Sequence, residues 1–247
     1  MKTGIETELI KMKNLYFSYE NGEEILHNLN FTAFRGESIG LIGANGVGKS
    51  TFLKILVGLN TGFEGSLEIG HHVMNKENLA HIREHIGYVF QDSDAQMFMT
   101  TVEDDIAFGP RNYGLSEAEV EERVAEALKK THIEHLRQKA VYKLSGGEKK
   151  LAAIATILAM EPDIILMDEP SVALDPKNRR YLINLLNEMP ITKLVASHDL
   201  DFILDTCSRV IFMYNGSIIA DDKAENILTN KAFLEAFGME LPLRYQK

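Results

Sequence analysis

The 247-residue chain has a single cysteine, Cys207, so no internal disulfide can form and a reducing compartment is its natural setting. As a small apolar residue, Cys207 is expected in the core rather than in thiol chemistry. Basic charge is scarce. Against 36 Asp and Glu stand 26 Lys and Arg, a net charge of -10, which argues against a nucleic-acid partner because phosphate binding leans on clustered cations. Long apolar runs are missing too: the longest, Leu151 to Met160, has ten residues and is too short to cross a bilayer. The opening residues lack a signal-peptide core, and there is no internal repeat, heptad pattern or low-complexity tract. These absences lead to the expectation of a cytoplasmic chain whose membrane role, if any, comes through a partner.

What is present is an ordinary folding composition, with 45% apolar and 25% charged residues. One stretch organises it. Gly43 Ala44 Asn45 Gly46 Val47 Gly48 Lys49 Ser50 Thr51 fits G-x-x-x-x-G-K-[ST], with a buried-strand candidate at Ser38 to Ile42 before it. After it, Phe52, Leu53, Leu56 and Leu59 recur at helical spacing. Phosphate oxygens need converging N–H donors; glycines clear the approach and a helix start adds its positive dipole end. Lys49 would meet the β- and γ-phosphates, Ser50 would ligate Mg²⁺, and Thr51 would reach the α-phosphate.

The rest of the chain reads as an α/β core with additions. Leu9 to Phe17, Ile25 to Phe34 and Gly65 to Ile69 are strand candidates of a β lobe. Residues 77 to 86 read as a short helix and Ile86 to Phe90 as a strand running into Gln91. Asp92 to Leu115 is expected to be irregular, stopped by Gly109 and Pro110, with Met97, Phe98 and Met99 exposed. A helix from Ser116, with Ser116 and Glu119 as a capping box, and another from Gly146 to Met160 suggest a helical insertion over about 92–160. Beyond it come a strand to Asp168, a helix from Pro176 to Met189, a strand from Lys193 to Ser197 and the Asn215 Gly216 hairpin. A last helix is expected from Ala224 to Phe237.

Asp168 closes a buried strand whose end belongs at the ligand crevice of a parallel sheet, suited to Mg²⁺. Glu169 follows, where a carboxylate can position or deprotonate an attacking water. Leu144 Ser145 Gly146 Gly147 Glu148 opens a helix with free N–H groups, a second anion-binding element.

In this order the motifs resemble an ATP-binding cassette (ABC) ATPase over nearly the whole chain. The resemblance implies an α/β phosphate-loop fold with a RecA-like core, an antiparallel β lobe and an inserted helical subdomain, in one domain spanning 1–247. It implies Tyr19 stacked on adenine, and a Walker A loop of Gly43, Asn45, Gly46, Gly48, Lys49, Ser50 and Thr51. It makes Gln91 the Q-loop glutamine on Mg²⁺, Ser145, Gly146 and Gly147 the signature, Asp168 the Walker B aspartate, Glu169 the base and His198 the switch histidine. Ser171 to Asp175 would be the D-loop. Glu148 departs from the commoner glutamine of the signature. The family pairs two cassettes head to tail, so ATP and Mg²⁺ would be sealed by a second chain, a copy or a paralogue.

The stretches from Phe90 to Phe98 and from Thr101 to Pro110 look like the energy-coupling factor branch of importers, where this region meets integral membrane subunits. Ala196 to Phe202 and Gly238 to Pro242 resemble its cobalt and nickel type, and a chain stopping soon after Leu243 favours that type over vitamin importers. The expectation is therefore an ATPase at the cytoplasmic membrane face powering cobalt or nickel import, with the shared vitamin module, or a soluble ATPase of iron–sulfur assembly, as alternatives. The eight histidines, among them His81 and His85, His71 and His72, and His132 and His135, are expected to be solvated, without a carboxylate at ligand spacing. The transported substrate is not expected to bind this chain.

Overall fold

Strands β1 (Glu8–Ser18) and β2 (Glu24–Phe34) pair antiparallel, and β4 (Phe63–Ile69) and the short β5 (His72–Val73) extend them into a four-stranded sheet of order β2-β1-β4-β5. The computed structural model describes residues 7–246. Ile10, Met12, Leu15, Leu26, Leu29 and Leu67 turn inward from this lobe and pack in one cluster with Phe52, Leu53 and Leu56 of α1 (Lys49–Leu56).

The central sheet has six strands in the order β10-β9-β3-β8-β7-β6. They are β3 (Ser38–Ile42), β6 (Ile86–Val89), β7 (Ile164–Asp168), β8 (Thr192–Ala196), β9 (Arg209–Tyr214) and β10 (Ser217–Lys223). The pairings from β9 across to β6 are parallel, and β10 returns antiparallel through Asn215 and Gly216. Both faces of this sheet are covered. Ile164 and Leu166 of β7 join the core shared with the β lobe, whereas Ile165 and Met167 join the core under the helices. Burial on both sides is why these strands read as unbroken apolar runs rather than as alternation. Parallel pairing also gathers the C-terminal ends of β3, β7 and β8 at one edge, where three of the expected motifs begin.

Helix α2 (Leu79–His85) precedes β6, and α3 (Val102–Asn112), α4 (Glu117–Thr131) and α5 (Gly146–Leu158) follow it before the chain enters β7. Capping boxes at Ser116 and Ser145 start α4 and α5. Asp175 caps α6 (Pro176–Glu188) and Asp199 caps α7 (Leu200–Thr206). Cys207 is buried, and burial pushes its thiol up to about 11, as a structural role requires.

Four expectations are corrected. The segment from Asp92 to Leu115 is not irregular throughout: α3 runs through both Gly109 and Pro110. Thr101 Oγ1 accepts from Asp104 N, and Glu103, Asp104 and Asp105 complement the dipole of the first turn. Gly109 serves packing rather than termination, since a Cβ there would lie 2.4 Å from Met160 Sδ. Pro110 has no N–H to give Ile106 O in the preceding turn, and the helix ends two residues later at Asn112.

Met97 is buried and Met99 only partly accessible, leaving Phe98 as the exposed member of that trio, at 65%. The cause is Asp105, whose buried carboxylate accepts from Phe98 N and Met99 N at 3.2 Å and curls the loop inward. Helix α1 stops at Leu56, so Leu59 falls outside its stripe and is exposed. The last helix divides into α8 (Ala224–Leu228) and α9 (Lys231–Ala236), because Asn230 breaks off to cap Phe233 N at 3.1 Å.

Candidate functional site

After Ile42 the chain must reverse into α1 within six residues, and glycine makes that path possible. Gly43, Gly46 and Gly48 have φ of 144°, 79° and 103°, in the region side chains disfavour. At Gly43 space forbids substitution as well, since a Cβ would stand 2.3 Å from Met213 O. The loop wraps the Lys49 ammonium, which donates to Gly43 O at 2.7 Å and Ala44 O at 3.0 Å. Burial pulls this ammonium below the ordinary lysine value, against the opposing pull of Glu169 and Asp168.

Asp168 ends β7 almost fully buried. Its Oδ2 accepts from the Tyr88 hydroxyl at 3.3 Å, and burial together with this carboxylate raises the phenol, which stays a donor. Glu169, the next residue, adopts a left-handed φ of 48°. That conformation costs a side-chain-bearing residue about 1–3 kcal/mol and persists where surroundings over-determine it. Here they do: Glu169 N donates to Ala196 O at 2.9 Å, and the carboxylate accepts from Ser197 Oγ and His198 N, each at 3.1 Å. His198 Nδ1 lies 2.8 Å from Glu169 Oε2, with most of the ring in solvent.

These groups face one pocket of about 520 Å³, lined by Tyr19, Asn45, Gly46, Gly48, Lys49, Ser50, Thr51, Gln91, Asp168, Glu169 and His198. Tyr19 stands at its mouth, its hydroxyl 3.1 Å from Thr51 Oγ1. Gly43 contributes its carbonyl to Lys49 from behind the lining. The donor set at the acidic end is hard oxygen, from Ser50, Gln91 and Asp168, which fits Mg²⁺.

Ser145, Gly146 and Gly147 are not in this pocket. They open α5 beside Ala173 and Asn178, the stretch leading from Glu169 into α6. Ser145 Oγ accepts from Glu148 N, while Glu148 Oε2 accepts from Ser145 N at 2.7 Å and pairs with Lys139 Nζ at 3.0 Å. Glu148 thus performs the cap that a glutamine would perform, with a lysine beside its extra charge.

Sequence reasoning missed two residues of this site. Tyr88 is the polar member of an otherwise apolar buried strand, a pattern that calls for a partner. Lys150 is 2% exposed and donates to Phe90 O at 3.0 Å and Gln91 O at 2.7 Å, so the helix that starts at Ser145 holds the backbone of Gln91. Its position four residues before Ile154, on the buried stripe of α5, was the available signal. Lys150→Met is expected to destabilise the protein by about 1–3 kcal/mol, the cost of leaving buried acceptors unpaired, and urea unfolding at fixed pH measures it.

A glycine loop around an ammonium, two strand-end carboxylates and a helix N-terminus are what a nucleoside triphosphate requires, and they set this protein among the phosphate-loop ATPases. The model of the ABC transporter family matches residues 26–172, and the chain belongs to that family. It is 43% identical over 238 residues to a Geobacter sulfurreducens protein named with the ABC transporter ATP-binding proteins, covering 96% of each chain. It is 41% identical to the energy-coupling factor transporter ATP-binding protein EcfA of Carboxydothermus hydrogenoformans, covering 95% of this chain and 87% of that one.

Among solved structures, cbiO1 of Clostridium perfringens, part of the ABC transporter complex cbiONQ, superposes with a TM-score of 0.83 at 35% identity, covering 94% of both chains. The dimeric structure of the bacterial cassette MJ0796 gives 0.80 at 30% identity, covering 87% of this chain and 99% of that one. The fold is that of an ABC ATPase, and the chain is an ATP-binding, ATP-hydrolysing transporter subunit. No helix among the described residues is long and apolar enough to cross a membrane.

Proposed function

We propose that this chain is a single-domain ATPase, 1–247, that drives an importer of the energy-coupling factor type, carrying cobalt or nickel ions. The observation that supports it best is the aromatic surface that follows Gln91 in the chain. Phe98 is 65% exposed and meets Phe108 edge-on at 4.8 Å, with Tyr113 also exposed at the end of the same helix. A protruding aromatic pair, anchored through Asp105 and close in sequence to Gln91, suits the apolar side of a membrane subunit's helix. The chain would lie peripherally at the cytoplasmic membrane face, contacting integral subunits through Gln91 to Pro110. Nucleic acid is no partner, and another subunit selects the transported substrate.

In this reading the γ-phosphate lies between Lys49 and Glu169. Glu169 takes a proton from the attacking water as its oxygen bonds to phosphorus, the bond to the β–γ bridging oxygen breaks, and ADP and phosphate leave. His198, held against Glu169, orients that carboxylate, and Tyr19 stacks on adenine. Ser50, Gln91 and Asp168 would hold Mg²⁺, which neutralises charge building on the phosphate oxygens. Ser145 and Gly147, turned away from the chain's own pocket, would serve the site of a second cassette, identical or paralogous.

The 41% identity to a protein named EcfA favours, as a second reading, the ATPase of an energy-coupling module shared among substrates. Accumulation of cobalt and nickel by native cells carrying either the normal gene or Glu169→Gln separates the two. A selective fall in one metal is the expected result. Normal metal content with impaired vitamin uptake would replace the first reading by the second, and no transport defect would overturn both.

A further inference from the structure

The edge of the β lobe carries a cluster that ATP chemistry does not use. Helix α2 presents His81, Glu84 and His85, spaced three and four residues apart and therefore on one face. One ligand atom from each lies within 4.8 Å of the other two. His72, on β5, meets the His81 ring edge-on with centroids 4.3 Å apart. The expectation that no carboxylate accompanies these histidines is thereby corrected: Glu84 lies between them, with its Oε2 3.3 Å from His81 Nδ1. The spacing H-x-x-E-H from His81 to His85 carries that carboxylate in the sequence.

A second observation makes this a constructed arrangement rather than a chance surface grouping. His85 Nδ1 lies 2.8 Å from Asp163 Oδ2, and Asp163 N donates to His85 O at 3.0 Å, so ring and backbone are both tied to the residue that leads into β7. A carboxylate on Nδ1–H fixes the tautomer and leaves the lone pair of Nε2 free, the outer-sphere support that metal-bound histidines commonly have. Arg35 Nη1, 2.5 Å from Asp163 Oδ1, takes the other carboxylate oxygen and is itself neutralised there. His72, His81, His85, Asp163 and Arg35 border a cleft of about 160 Å³ between the lobe and the sheet, with Glu84 outside its lining.

We infer that His81, His85 and Glu84, with His72 as a fourth donor, form a binding site for a divalent transition cation of the imidazole-preferring class, Zn²⁺, Ni²⁺ or Co²⁺. Two imidazoles and a carboxylate suit such ions and not Mg²⁺ or Ca²⁺, which prefer all-oxygen shells. Metal–nitrogen bonds near 2.0–2.1 Å require ligand atoms to close to about 3.4 Å of each other in a tetrahedral shell. The half-exposed side chains of His81 and Glu84 can make that adjustment by rotation while His85 keeps its bond to Asp163. Recruiting His72 would tie α2 to the β lobe, while His85 already ties it to the strand ending in Asp168. The site stands apart from the choice of transported substrate and does not rest on it.

Calorimetric titration of the full, tag-free and nucleotide-free chain with NiCl₂, in excess Mg²⁺ to occupy hard-oxygen sites, tests the inference. One Ni²⁺ per chain with micromolar affinity is expected, together with a rise in melting temperature. His81→Ala/His85→Ala should weaken binding by at least about tenfold, and Asp163→Asn by about 10- to 100-fold, as loss of outer-sphere support does elsewhere. His132→Ala should bind as wild type does. Should the double variant fold poorly, His81→Gln alone, at an exposed position, carries the same comparison. Ni²⁺ binding that is absent from the wild type, or equally tight in wild type and in the His81 and His85 variants, would overturn the site.

Discussion

Glu169→Gln is expected to leave ATP binding within about twofold while slowing hydrolysis by about 10²- to 10⁴-fold, the usual contribution of a positioned general base. On the proposed roles, the amide keeps the shape and can still accept from Ser197 Oγ and His198 N, the contacts that hold residue 169 in its left-handed conformation. What it loses is the basic oxygen. Unfolding stability should therefore move little, and the variant should accumulate as an ATP-loaded pair of cassettes. Size-exclusion chromatography with and without ATP, alongside phosphate release, measures both. Near-normal phosphate release would remove Glu169 from the reaction.

Lys49→Met should act at the earlier step. Among the described residues lining the pocket, Lys49 is the lone lysine or arginine, and charge-assisted hydrogen bonds contribute about 1.5–3 kcal/mol each. ATP binding should weaken by about 10- to 100-fold or more, and turnover should fall below detection at ordinary ATP concentrations. The variant also leaves Gly43 O and Ala44 O without their donor and removes one of the two lysine charges, Lys49 and Lys150, that attract the Asp168 and Glu169 carboxylates. Some loss of stability in the nucleotide-free protein should follow. Mixing Lys49→Met with a Ser145→Ala chain supplies a sharper readout: if the signature acts across a dimer, one composite site per pair is intact and part of the activity returns. No recovery at any mixing ratio would count against the trans arrangement.

The parts of the fold that could be read in advance are those whose cause is local. Ser38 to Ile42, Asp168 at a strand end, the Ser116 capping box and the Asn215 Gly216 turn each carry their reason within a few residues. The misreadings tend to have distant causes. Gly109 looked like a stop because Met160, the atom group it makes room for, lies some fifty residues away in sequence. Met97 is a nearer case: Asp105, only seven residues beyond Phe98 and six beyond Met99, draws in their backbone, but an aspartate in a helix's first turn reads as a dipole partner rather than as a buried acceptor. Lys150 is the clearest instance: a lysine on a helix reads as solvated until two carbonyls from another element surround its ammonium. The Thr229–Asn230 interruption was the exception, since asparagine is a cap signal that could have been weighed.

The pairing of Glu148 with Lys139 bears on how two such cassettes could close. A hydroxyl has one proton to give and two lone pairs to receive, so Ser145 Oγ can accept from Glu148 N and still turn its hydrogen outward. Stabilising its own helix and meeting a neighbour's phosphate draw on different atoms of one group, and closure need not unwind the first turn of α5. Where a glutamine would leave that end of the helix neutral, Glu148 adds a negative charge facing an incoming polyanion. Lys139, 3.0 Å away, returns the local sum to zero. Removing the lysine alone would place unbalanced repulsion at the seam between the two chains, although Lys139 is expected to touch neither nucleotide nor catalytic carboxylate.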